Sequence, residues 1–176
     1  MVTAPARLQR DRPIGVFDSG VGGLTVLGAL EAALPDEEFL YLGDTARLPY
    51  GTKSPASVVR YATQCAAALV ERGVKVLVVA CNTAASAALD ALAARFPGIP
   101  LIGVVEPGAA AAVAVSVSGR VAVIGTEATI RAGAYQRAIG RLRPDACVSG
   151  IGCSLFVALA EEGWTDGPVV AQVAHR

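Results

Sequence analysis

One histidine, four cysteines and no excess of either charge leave this 176-residue chain with few of the usual tools of catalysis. Its 15 basic and 15 acidic residues balance, which gives no reason to expect nucleic acid or an anionic membrane as partner. No run approaches the uninterrupted apolar length of a membrane-spanning helix, because Gly, Asp or Pro cuts every strand-like stretch. Residues 1–12 include Arg7, Arg10, Asp11 and Arg12 but no apolar core, so they read as a flexible tail and not as a signal peptide. The lone His175 reads as solvated, and no His/Cys/Asp cluster has metal-ligand spacing, so no metal is expected. Cys65, Cys81, Cys147 and Cys153 lack CxxC spacing and read as free thiols of a reducing, cytoplasmic setting.

What the chain does have is alternation. Apolar runs at Ile14–Phe17, Phe39–Leu42, Val74–Ala80, Leu101–Val105, Val121–Ile124 and Ala146–Ser149 read as strands. Between them, helical spacing covers Leu24–Leu34, a segment from Pro55 to about Gly73, Ala84–Phe96, an Ala-rich stretch after Gly108, and Arg131–Leu142. Ser54-Pro55 supplies a cap followed by proline at the first helical position. Strands alternating with amphipathic helices predict an α/β fold with mainly parallel sheets covered by helices on both faces. The frequent Pro and Gly between Gly98 and Gly108 suggest a seam, with a first lobe over 13–103 and a partial second lobe over 104–176.

In such sheets ligands bind beyond the carboxyl ends of the strands. Asp18-Ser19, Gly43-Asp44, Cys81-Asn82-Thr83, Glu106 and Thr126 all fall at those ends. Cys81 stands where a strand stops and a helix begins, a position in which helix-end N–H groups favour the thiolate. The competing reading is a small buried apolar occupant. The loop from Asp18 to Thr25 lacks the third glycine of the dinucleotide fingerprint and the Gly-Lys-Ser/Thr of the P-loop. It suits a carboxylate or other small anion, or else is a tight turn with no ligand. The segment Arg47–Lys53 is a long loop with an aromatic and two cations, either functional or an ordinary turn.

Together these blocks resemble the glutamate racemases of the aspartate/glutamate racemase superfamily. The resemblance lies in Ile14–Leu27 with its Asp18-Ser19-Gly20-Val21-Gly22-Gly23 core, in Tyr41–Ser54, in Val79–Ala84 around Cys81, and in Cys153–Gly163. It implies two similar α/β lobes with the substrate between them and a cofactor-independent interconversion of L- and D-glutamate that serves peptidoglycan synthesis. By motif match Cys81 corresponds to one of two catalytic cysteines, with Asp18 and Glu161 as supporting polar residues. Asp18, Ser19, Tyr50, Gly51, Asn82 and Thr83 correspond to substrate-binding positions, and Thr126 joins them from the end of the fifth strand. Partners are then glutamate alone, with no nucleic acid and no membrane, in a cytoplasmic protein whose candidate assembly is a homodimer.

Inversion at an α-carbon needs one acid–base group on each face. Charge developing on the substrate carboxylate needs preorganised donors, for which Asn82, Thr83 and the Ser19-Gly20 loop are candidates. The family's second cysteine lies in a Gly-Cys-Thr-His block that has no counterpart among these residues, and Cys153 is not followed by Thr-His. The expectation is therefore an incomplete racemase, inactive alone and poorly soluble. An aspartate racemase-like isomerase and, from a different class, a non-catalytic module binding small anions or amino acids stand as alternatives.

Overall fold

The computed structural model describes residues 11–175. Its first sheet is built from four parallel strands, β1 (Ile14–Asp18), β2 (Phe39–Gly43), β3 (Val76–Val79) and β4 (Leu101–Gly103), in the order β2-β1-β3-β4. β1 is buried along its whole length, as expected for a central parallel strand made of Ile-Gly-Val-Phe-Asp. A second sheet pairs β5 (Arg120–Gly125) with β6 (Cys147–Gly152), again in parallel. The first sheet thus closes at Gly103 and the second opens at Arg120.

Helix α1 (Leu24–Ala33) covers one face of the first sheet, where Val26, Leu27 and Leu30 pack against Ile14, Val16, Val78 and Ala80. The other face meets α2 (Pro55–Glu71), α3 (Asn82–Ala87) and α4 (Leu89–Arg95), and this larger core continues into α5 (Val105–Val115) and α7 (Ala134–Leu142) through Val105, Ala109, Ala138 and Ile139. One apolar cluster therefore joins the two sheets and holds the cleft between them. Ser54 caps α2 by accepting the Ser57 N–H at 3.2 Å, with Pro55 at the first helical position, as its sequence predicts.

Two expectations are corrected. The helix expected over Ala84–Phe96 starts two residues earlier, because Cys81 acts as its cap, and is divided at Ala88, whose φ of −119° and ψ of −9° depart from regular helix geometry. The helix expected over Arg131–Leu142 is divided into α6 (Glu127–Ala132) and α7 by Gly133, which adopts the left-handed φ of 66°. The α/β fold with parallel sheets flanked by helices is as expected; in the second sheet Val121, Val123 and Val148 pack inward, whereas Ile124 and Ile151 are exposed. Helices α8 (Ser154–Glu161) and α9 (Pro168–Ala174) follow β6. Among the described residues no helix is long and apolar enough to cross a membrane.

Candidate functional site

The carboxyl ends of β1, β3 and β5 open onto one cleft of about 630 Å³ between the two sheets. Its lining includes Asp18, Ser19, Cys81, Asn82, Thr83 and Thr126, six of the residues singled out in the sequence. Their convergence follows from topology. β1 and β3 are hydrogen-bonded neighbours, so the turns that leave them lie side by side although residues 19 and 81 are far apart in sequence.

Cys81 is 5% exposed and lies at the junction of β3 and α3. Its Sγ accepts the Ala84 N–H at 3.4 Å and donates to Ser19 Oγ at 3.2 Å. The helix-end N–H is thus present, but the expectation that the position favours the thiolate is overturned. Burial pushes the Cys81 thiol up and outweighs the opposing hydrogen bonds from Ser19 and Ala84, and the nearby Asp18 carboxylate adds to the rise. α3 is short, with only six residues, and its end cannot offset removal of a thiolate from water. Ser19 is suited to both protonation states, since a hydroxyl accepts from a thiol and donates to a thiolate.

Asp18 is buried at the end of β1 and its Oδ2 accepts the Gly20 N–H at 2.8 Å. The loop's own carboxylate thereby occupies one of the backbone donors proposed for an external anion. Tyr41 reaches the same loop, donating its hydroxyl to Gly20 O at 3.0 Å. Burial, then Asp18, then Cys81 push this phenol up to about 12, so it remains a neutral donor.

Thr83, Thr126 and Thr129 line the same cleft. Thr83 Oγ1 lies 3.1 Å from Thr126 Oγ1 and 3.0 Å from Thr129 Oγ1, and the latter two are 3.0 Å apart. Thr126 also caps α6 by accepting the Thr129 N–H at 3.2 Å. Thr83 comes from α3 and the other two from the start of α6, so this closed ring of hydroxyls bridges the two sheets. Tyr135 adds a second bridge, donating its hydroxyl to Asn82 Oδ1 at 2.6 Å.

Other expected site residues lie elsewhere. The Tyr50 side chain is 1% exposed and turned away from the cleft, its hydroxyl donating to Asp44 Oδ2 at 2.6 Å. Gly51 does not line the cleft either, yet its backbone presses on a residue that does: a Cβ there would overlap the Thr126 side chain. Asp44 is taken up by Tyr50 and by Arg47 Nε at 2.7 Å. Glu106 pairs with Arg141 on a separate small cavity. The Glu161 side chain lies outside the described residues. Cys65 is buried beside Tyr50, Cys147 is exposed on β6, and Cys153 lines a different cavity, so Cys81 is the one thiol in the described lining of the cleft.

Thr129 and Tyr135 were missed in the sequence. The Thr126-x-x-Thr129 spacing of a helix cap is a local signal for the first. Nothing local marks Tyr135, whose partner is 53 residues away. Among the described residues no group of three or more His, Cys, Asp or Glu side chains is placed to hold a metal ion.

A sequence model of the Asp/Glu/hydantoin racemase family matches residues 14–175. The glutamate racemase of Geobacter metallireducens is 59% identical over 164 residues, covering 93% of this chain and 59% of the relative. Among solved structures, the glutamate racemase of Francisella tularensis in complex with D-glutamate superposes with a TM-score of 0.88 at 42% identity, over 94% of this chain and 62% of that one. The enzyme of Thermus thermophilus in complex with β-chloro-D-alanine gives a TM-score of 0.81 at 53% identity, over 94% and 60%. The chain spans about three fifths of the length of these relatives.

Proposed function

The chain belongs to the Asp/Glu/hydantoin racemase family, and on that premise we propose that it binds glutamate in the cleft between its sheets and exchanges the α-proton through Cys81. The observation that carries this reading is the buried Cys81 thiol between the Ser19 hydroxyl and the Ala84 N–H, on the same cleft as Asp18, Asn82 and Thr83. The Cys81 thiolate removes the α-proton: the C–H bond breaks, an S–H bond forms, and the electron pair passes from the α-carbon into the substrate carboxylate. That charge is held by the Asn82 amide, fixed in advance, and by a Thr83 or Thr126 hydroxyl turned out of the threonine ring. Asp18 faces the substrate ammonium and assists proton movement around Cys81. Glu161 is assigned a supporting polar role by motif alone, and Tyr50-Gly51 contributes through its backbone.

Racemisation by two cysteines requires a second thiol on the opposite face of the substrate, and the described lining of the cleft holds only Cys81. The 176-residue polypeptide is accordingly assigned one-faced exchange, and full interconversion of L- and D-glutamate for peptidoglycan synthesis is assigned to a protein that supplies the second group. Free thiols support a cytoplasmic setting. A homodimer is the assembly proposed with it.

Alkylation tests the binding reading. Glutamate should slow carboxymethylation of Cys81 by iodoacetate several-fold while leaving the exposed Cys147 unchanged, as read by peptide mass mapping. An unchanged Cys81 rate at saturating glutamate contradicts it.

A further inference from the structure

Asn82 and Tyr135 meet across the cleft from opposite sheets, one at the start of α3 and the other on α7. Their oxygens stand 2.6 Å apart, an O–H···O distance and shorter than an N–H···O bond ordinarily reaches. The phenol is therefore the donor and the amide oxygen the acceptor. The Tyr135 ring has little freedom to leave. It lies over Gly108 on α5, where a Cβ would stand 3.2 Å from the ring and its hydroxyl. Burial also pushes the phenol up, which keeps the proton that it donates.

An asparagine amide presents an acceptor on one side and a donor on the other, and the two are close in shape. A side chain free to turn would offer an anionic ligand its oxygen in one of its two orientations. We infer that Tyr135 is a positioning residue that locks the Asn82 amide, holding Oδ1 toward itself so that the NH₂ group is the face offered to an anionic ligand in the cleft. The site then selects a carboxylate by the fixed polarity of an uncharged side chain. Glycine at position 108 belongs to the same device, since it makes room for the ring. This inference rests on the proposed glutamate binding for its ligand, but the locking of the amide is a property of the free protein.

The test has two parts. In the free chain, the Asn82 side-chain NH₂ pair is followed by ¹⁵N–¹H spectroscopy in the native protein and in Tyr135→Phe. Locking predicts a ¹⁵N order parameter for the Asn82 side-chain nitrogen close to that of the rigid backbone in the native chain, and a clearly lower one in the variant as the Cβ–Cγ torsion is freed. An unchanged order parameter overturns the inference even if glutamate never binds. The second part is a cycle of glutamate affinities. Tyr135→Phe should weaken binding roughly tenfold in the native background, the loss of one hydrogen bond to an anion-binding group. It should weaken binding less than twofold in the Asn82→Ala background. Equal loss in both backgrounds would mean that Tyr135 acts otherwise than through Asn82. Absence of glutamate binding by the native chain defeats the functional reading, while the spectroscopic comparison still decides whether Tyr135 locks the amide.

Discussion

At the scale of the residue, burial decides the behaviour of Cys81. Its thiol is pushed up, so it folds as the neutral form at neutral pH and its base form grows only as pH rises. For stability the sign follows directly. A group held above its unfolded value gives a contribution that is full below about pH 8.5, the ordinary thiol range, and lost as pH rises through the folded value. Cys65 is raised by burial as well and acts in the same direction. The thermal midpoint should therefore fall between pH 8 and pH 10 (a window on the order of the thiol range), and less so in Cys81→Ala; an equal fall in both would remove Cys81 from the account. Thr129 sits at a vertex of the hydroxyl ring, and Thr129→Val removes a hydroxyl from both Thr83 and Thr126. A loss of about 1 kcal/mol is expected in urea unfolding. Cys81, Asp18, Ser19, Asn82 and Thr83 were legible in the sequence because each follows a strand-like run, and in a parallel sheet the ends of strands converge. Tyr135 was not, since its meaning lies in a contact made by tertiary packing.

Elements carry the site through their ends. α3 and α6 both begin at the cleft, capped by Cys81 and Thr126, so the residues that would touch a ligand also terminate helices. The 3-10 turn at Tyr50–Thr52 is pinned from below by the Tyr50–Asp44 bond and presses Gly51 onto Thr126. Gly51→Ala is expected to cost about 1–3 kcal/mol by overpacking and to weaken glutamate binding by displacing the Thr126 hydroxyl, both measurable by denaturation and titration. Undiminished affinity in that variant would remove the turn from the site. Strand and helix order was readable from apolar runs and the Ser54-Pro55 cap. The divisions at Ala88 and Gly133 were not, because alanine is a strong helix former and the 3.6-residue apolar spacing continues on either side of Gly133. The interior of the Tyr50 turn was also hidden: an aromatic flanked by Pro and Gly looks like a surface loop, whereas the buried Asp44 carboxylate draws its hydroxyl inward.

For the whole molecule, two parallel sheets share one apolar cluster, and the hydroxyl ring and the Tyr135–Asn82 bond cross between them at the cleft. A ligand lodged there touches both sheets, so its binding should stabilise both together. Glutamate at a hundred times its dissociation constant should add about 2.7 kcal/mol to the unfolding free energy. The exposed Ile124 and Ile151 show that the second sheet leaves apolar side chains open on one face, as Ile102 does on β4 of the first. Under the proposed function, Cys81 serves one face of the substrate α-carbon. Its most direct test is to incubate the 176-residue chain with each glutamate enantiomer in D₂O and follow the α-proton signal and the optical configuration. A base on one face alone gives α-deuterium incorporation into one enantiomer with its configuration retained, abolished in Cys81→Ala. Exchange that survives in Cys81→Ala, or inversion catalysed by this chain alone, would contradict it.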